Sequence, residues 1–293
     1  MPKTLFSWRS FLYLLYALVL TVTLLYVRFP KEEFRSFCEY RFEQFLGDTQ
    51  CRISKINYIF PLTVVFEDVK IGNPGAGQDR VQMDRLQLSP RLSSLFTSWT
   101  IVGELYSGTL EAIVTVPSDD DFFYVKEIYG KGLDVAKVLS GLPSLEREIT
   151  GVLTFTGEYK TEFRHPLAGF GSGRVRIENG ILHLQHTVLT VDAVEFQLIR
   201  IDGEYGDNAL HLLDGNMEGK QFDAEFTGIL QSPFPVTDGR LDIIGSLAPR
   251  KKFLRETPKV RKLLRRLRQN TGESTVSFKL GGTLYKPTFR YPR

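Results

Sequence analysis

From about residue 50 onward apolar residues recur at every second position, and that period limits what this chain can fold into. Leu62, Val64 and Phe66 alternate with Thr63, Val65 and Glu67. Leu153 and Phe155 alternate with Thr154 and Thr156, and Val175 and Ile177 sit between Arg174, Arg176 and Glu178. The habit returns at Phe222, Ala224 and Phe226, and again at Val276, Phe278 and Leu280. Successive side chains of a strand point to opposite faces, so alternation means strands with one apolar and one polar face. Turn signals separate the runs at Asn73-Pro74-Gly75, Asn179-Gly180, Asp214-Gly215 and Asp238-Gly239, and the spacing predicts a hairpin about Asn179-Gly180. The fold class this implies is mainly β: a meandering, antiparallel, twisted sheet with a few short helices.

Each apolar face must be covered by another sheet, by helices, or by something apolar that is not protein. Helix candidates within the β-rich part are few: Ser89–Ser98, Leu133–Leu139 and a segment near the C-terminus. Two architectures fit the alternation equally. One is a closed sandwich or barrel, and the other is an open curved sheet whose groove takes acyl chains or a partner's hydrophobic segment. A loose theme of strand followed by glycine runs through Gly151–Gly157, Phe222–Gly228, Gly239–Gly245 and Val276–Gly282, without a fixed period.

The N-terminal part follows a different rule. Phe11–Val27 is 17 residues with no charge and no proline. A helix of that length spans about 26 Å, near the lower limit for a membrane crossing. Trp8 and Tyr26 sit where interfacial aromatics belong, and no small-residue cleavage site follows at Arg28–Glu33. The reading is an uncleaved signal anchor. Residues 1–10 form a cytoplasmic tail, 11–28 the transmembrane anchor, 29–48 a juxtamembrane helix and 49–293 a translocated β-rich domain. The juxtamembrane helix recurs apolar at Phe34, Phe37, Phe42 and Phe45, and its four glutamates favour capping the domain over lying on anionic lipid. Cys38 and Cys51 are the only cysteines. In an oxidising compartment they can pair, adding about 3 kcal/mol for a loop of that size, and the alternative is two buried free thiols.

The strongest polar feature is a basic segment. Residues 250–268 hold ten Lys or Arg and one acid, a local charge of +9 in a chain of net +3. Thr257 reads as an N-cap with Pro258 at the first helical position, opening an amphipathic helix at about 257–269. Its apolar face is Val260, Leu263, Leu264 and Leu267, and its basic face is Lys259, Arg261, Lys262, Arg265, Arg266 and Arg268. Three uses compete: docking the leucines on the sheet, lying on anionic headgroups or an acidic partner, and binding nucleic acid, which a translocated domain would not meet.

An N-terminal anchor, then antiparallel strands with L-x-F-x-G at Leu153–Gly157, is similar to the AsmA-like superfamily. A short basic helix followed by Val276–Arg290, with its strand, Gly-Thr-Leu and proline, resembles the end of the type II secretion system protein N family, in the longer form carried by delta-type proteobacteria. The resemblance covers the whole chain in layout but only the last 40 or so residues in motif. It implies a single-pass inner-membrane anchor, a periplasmic β domain, and a non-enzymatic role beside other type II secretion components. The nearby alternative is a lipid-binding or lipid-transfer groove with phospholipid as ligand. It implies no cofactor and supplies no catalytic residue.

The remaining motifs are weak. His183 and His186 are i and i+3 on a strand and face opposite sides, which disfavours one shared metal. Gly169–Gly173 precedes a strand and matches neither a nucleophile elbow nor a dinucleotide loop. No nucleophile–base pair is spelled out.

Overall fold

The period-two segments form strands, and all of them join one sheet. The computed structural model describes the chain except residues 1–7, 28–29, 47–49, 61, 73–78, 95–96, 118–120, 141–148, 166–167, 189–190, 232–238, 263–274, 285 and 292–293. Two helices come first, α1 (Trp8–Val27) and α2 (Lys31–Leu46). Six strands follow: β1 (Gln50–Ile59), β2 (Thr63–Gly72), β3 (Asp79–Pro90), β4 (Ser98–Leu105), β5 (Gly108–Thr115) and β6 (Phe122–Asp134). After the short helix α3 (Val135–Ser140) come β7 (Val152–Glu162), β8 (Phe170–Val188), β9 (Val191–Gly206), β10 (Ala209–Gly219), β11 (Phe222–Gln231) and β12 (Arg240–Pro249). The chain closes with α4 (Lys251–Glu256), a helical turn at 258–262, and the strands β13 (Val276–Thr283) and β14 (Pro287–Arg290).

Each strand pairs antiparallel with the next, so sheet order is chain order from β1 to β14. The sheet thus has two ends. Connections β1–β2, β3–β4, β5–β6 and so on lie at the first, here the loop end. The second, the helix end, receives the chain from α2 and carries α3 and α4.

Helices cover the apolar face in two places. At one flank α2 sets Phe34, Cys38 and Phe42, and α3 sets Val138, against Cys51, Ile53, Phe66, Leu86 and Leu133. Phe66 is 2% exposed there. The α2 helix also serves the edge strand, since the Ile53 N–H donates to Glu39 Oε1 at 2.8 Å. At the other flank α4 and the 258–262 turn set Phe253, Leu254 and Val260 against Phe222, Leu247, Val276 and Phe278. Arg250 pins the start of α4 to β11 with Nη2 2.7 Å from Asp223 Oδ1.

Glycine and phenylalanine face each other across the strands. Gly130 pairs with Phe155, Gly215 with Phe226, and Gly245 with Phe278. In each pair the ring lies over the glycine: an added Cβ would come within 2.3 Å of Phe155, 2.3 Å of Phe226 and 2.7 Å of Phe278. The ring covers backbone that no side chain protects, the device known as aromatic rescue. The rings come from strands of the strand-then-glycine theme, whose own Gly245 is one of the covered positions.

Several turn expectations require correction. Asn179-Gly180 does not reverse the chain but lies inside β8, with Asn179 at φ 52° and Gly180 paired to Phe196. Asp214-Gly215 likewise lies inside β10, at a register shift. A left-handed residue such as Asn179 serves a bulge as well as a tight turn, and Asp214-Gly215 marks an irregularity in strand register without a left-handed residue. The tight hairpins instead use Tyr106-Ser107 and Asp207-Asn208, with all four residues left-handed. Asn73–Gly75 and Asp238 lie outside the described residues. Nor is Ser89–Ser98 a helix: Ser89 and Pro90 finish β3, Leu92–Ser94 make one 3-10 turn, and Ser98 opens β4. The candidate at Leu133–Leu139 is displaced slightly to α3, where Asp134 Oδ1 accepts from the Ala136 N–H at 2.9 Å.

α1 is an unbroken 20-residue helix. Among the described residues no helix is long and apolar enough to cross a membrane. The side chains of Leu18, Val22, Leu25, Tyr26 and Val27 fall outside that set.

The ring-over-glycine pairs make a direct test. Gly130→Ala is expected to lower stability by about 1–3 kcal/mol, the cost of overpacking. In a Phe155→Ala background the same change should cost far less, measured by denaturant unfolding of the four-member cycle. Additive losses would contradict the ring contact.

Candidate functional site

Between the two covered flanks, one stretch of the apolar face has no helix over it among the described residues. Strand register builds its shape. Gly157 of β7 pairs with Gly173 of β8, which pairs with Gly203 of β9. Three glycines in register leave a floor of bare backbone across three strands. Two residues along each strand, on the helix-end side, stand Phe155, Val175 and Ile201, themselves in register. On the loop-end side stand Tyr159 and Tyr205, paired through Gly171, with ring centroids 6.1 Å apart. These two rows lie about 13 Å apart along the strands, from four residues at 3.3 Å each. Ile128 and Leu210 close the trench laterally, and it encloses about 480 Å³.

Burial separates this stretch from the flanks. Its wall residues are half-buried, whereas Phe66, Leu133, Phe222 and Phe278 of the flanks are buried. The reverse face of the same strands is polar and charged: Arg174 Nε lies 2.5 Å from Asp202 Oδ1, and Arg176 Nη2 lies 2.5 Å from Glu178 Oε1. Asp202 holds the Arg174 guanidinium above its ordinary value. Glu158 and Arg174 border the trench at intervening strand positions, while the wall residues just named are uncharged. Their polar groups are the tyrosine hydroxyls, and Tyr159 Oη accepts the Gly169 N–H at 2.9 Å. Burial, with Tyr159 nearby, raises the Tyr205 phenol above its usual range. The arrangement can hold an apolar chain and place a polar end near the tyrosines.

The residues singled out from sequence lie elsewhere. Cys38 and Cys51 meet in the α2–β1 cluster, both as free thiols. Burial pushes the Cys51 thiol up to about 11, with Glu39 and Glu43 carboxylates and Cys38 adding to it. Burial and Glu39 raise Cys38 as well. In the basic segment the chain leaves the helix at Thr257, whose φ is −127°, and resumes it at 258–262 with the Arg261 N–H bonded to Thr257 O at 3.1 Å. Val260 is fully buried in the second flank cluster, while Lys259, Arg261 and Lys262 are exposed. Leu263, Leu264, Arg265, Arg266, Leu267 and Arg268 lie outside the described residues. Among the described residues no group of three or more His, Cys, Asp or Glu is placed to hold a metal ion.

The glycine floor was not legible from sequence. Gly157, Gly173 and Gly203 stand 16 and 30 residues apart, and only strand register brings them into one row. Gly157 ends one of the strand-plus-glycine repeats, the one signal present. No family model, curated protein or solved structure matches this chain.

The thiol pair yields a pH test. Cys51 holds its proton more tightly folded than unfolded, since an ordinary thiol titrates near about 8.5. Its contribution is therefore intact below that pH and is lost as pH rises toward about 11. Under reducing conditions, unfolding free energy should fall between pH 8 and the top of that window, and fall less steeply in Cys51→Ala. Equal slopes would contradict a buried, proton-holding Cys51.

Proposed function

We propose that this protein holds an apolar chain of the lipid acyl class in the trench over β7–β9. The carrying observation is an apolar sheet face left half-exposed between two helix-covered flanks, with a glycine floor beneath it. Its volume falls in the range of roughly 300–1,000 Å³ usual for small-molecule pockets. The polar reverse face gives the sheet one ligand side only. In this reading α1 anchors the chain in an inner membrane with the sheet in the periplasm, and the protein binds and presents lipid without catalysing a reaction.

A second reading keeps a supporting role beside a type II secretion apparatus. The residues behind that resemblance, Val276–Arg290, form the terminal hairpin, and its four-residue outer strand β14 is an edge to which a partner strand can add.

One purification addresses both. Full-length chain taken from its own membrane in mild detergent should carry phospholipid or fatty acid in native mass spectrometry. Gly203→Leu, which puts a side chain into the trench where the nearest carbonyl is 3.0 Å from the new Cβ, should lose that lipid while keeping its β circular dichroism. Lipid-free wild type, or equal loading of the variant, would overturn the trench reading. Secretion components that co-purify in place of lipid would carry the second one, and their absence would sink it.

A further inference from the structure

The loop end of the sheet carries a row of exposed apolar side chains, of which Phe163 meets the Phe123 ring at 5.2 Å and Phe170 lies over Gly206. Outside α1 and α2, seven of the twelve large hydrophobic side chains exposed among the described residues lie at this end. Ile59, Phe60 and Leu62 flank the β1–β2 connection, with Phe60 66% exposed. Leu92 and Trp99 flank β3–β4, and Leu92 is 60% exposed. Phe163 and Phe170 flank β7–β8, and Phe170 is 61% exposed. Single exposed hydrophobics are ordinary, whereas a row of them along one end marks an interaction surface.

Cations accompany the row. Lys160 Nζ lies 4.8 Å from the Phe122 ring centroid and 5.0 Å from that of Tyr124, and Lys126 Nζ lies 5.8 Å from the latter. Arg91 and Arg164 are exposed in the same loops, alongside the acids Asp121 and Glu162. With both signs present, net charge is not what selects the partner. Aromatic and aliphatic tips among long cationic side chains are the composition of a membrane–water interface. Shape selects in the same direction. The tips span eight strands, about 34 Å at the usual strand spacing, on separate connections. A flat bilayer surface can take up tips on separate connections one by one.

The row is also continuous with the trench. Tyr159, Gly171 and Tyr205, the trench wall on this side, lie one strand position from Phe170 and its partner Lys160.

We propose that the loop end docks on a lipid bilayer surface through Phe60, Leu92 and their neighbours, and that the trench exchanges its lipid there. The path of the lipid rests on the trench reading, but the docking does not.

Vesicle capture tests it. Full chain kept soluble in amphipol is held on beads by a tag after Arg293, beyond β14, which runs away from the loop end. Fluorescent vesicles of phosphatidylethanolamine with phosphatidylglycerol are then added. Wild type should capture them, and Phe60→Ser with Leu92→Ser should cut capture about five-fold, as for loss of interfacial apolar anchors. The double variant should keep its circular dichroism and its co-purified lipid, which separates failed docking from a failed trench. Absent capture by wild type overturns the proposal, as does undiminished capture by the variant. Either result leaves the native-mass-spectrometry test of the trench standing.

Discussion

Among the described residues, a fourteen-stranded sheet with one apolar face exposes more greasy surface than the helices cover, and this shortage organises the molecule. The hydrophobic effect drives such a face out of water at roughly 25 cal/mol per Å². Here α2 and α3 meet the demand at one flank, and α4 with the 258–262 turn meets it at the other. The strands between keep half-buried walls. Nothing about antiparallel pairing requires the sheet to be covered evenly, because backbone bonds run from β1 to β14 regardless.

Glycine has two opposite uses along this face. Where a phenylalanine sits across the strand pair, as at Gly130, Gly215 and Gly245, the ring fills the missing volume and the sheet stays sealed. Three glycines in one row are different. Gly173 has Gly157 across from it on one side and Gly203 on the other, so no ring fills the row and the volume stays open. Whether a glycine seals or opens the face is decided by its cross-strand partner.

Much of the fold was readable because period two is a local property. Leu153, Phe155, Val175 and Ile177 announce their face without knowledge of any other strand. Turns were less legible, since the left-handed Asn179 lies within a strand, Asp214-Gly215 falls at a register shift, and Tyr106-Ser107 turns the chain with neither glycine nor asparagine. The trench was not legible at all. Bulges in β6 and β10 shift the register, and a row drawn from distant strands exists only once that register is set. Cys38 and Cys51 show the intermediate case: sequence places them near each other, but the partnership of α2 with β1 puts both in one cluster.

The measurement that tests the account most directly is photo-labelling of the full chain with a diazirine-bearing fatty acid, followed by peptide mapping. Adducts should concentrate on β7–β10, at Phe155, Val175, Ile201 and Leu210, and be suppressed by excess unlabelled fatty acid. Adducts confined to α1, or spread evenly over the sheet, would contradict an acyl chain held in the trench.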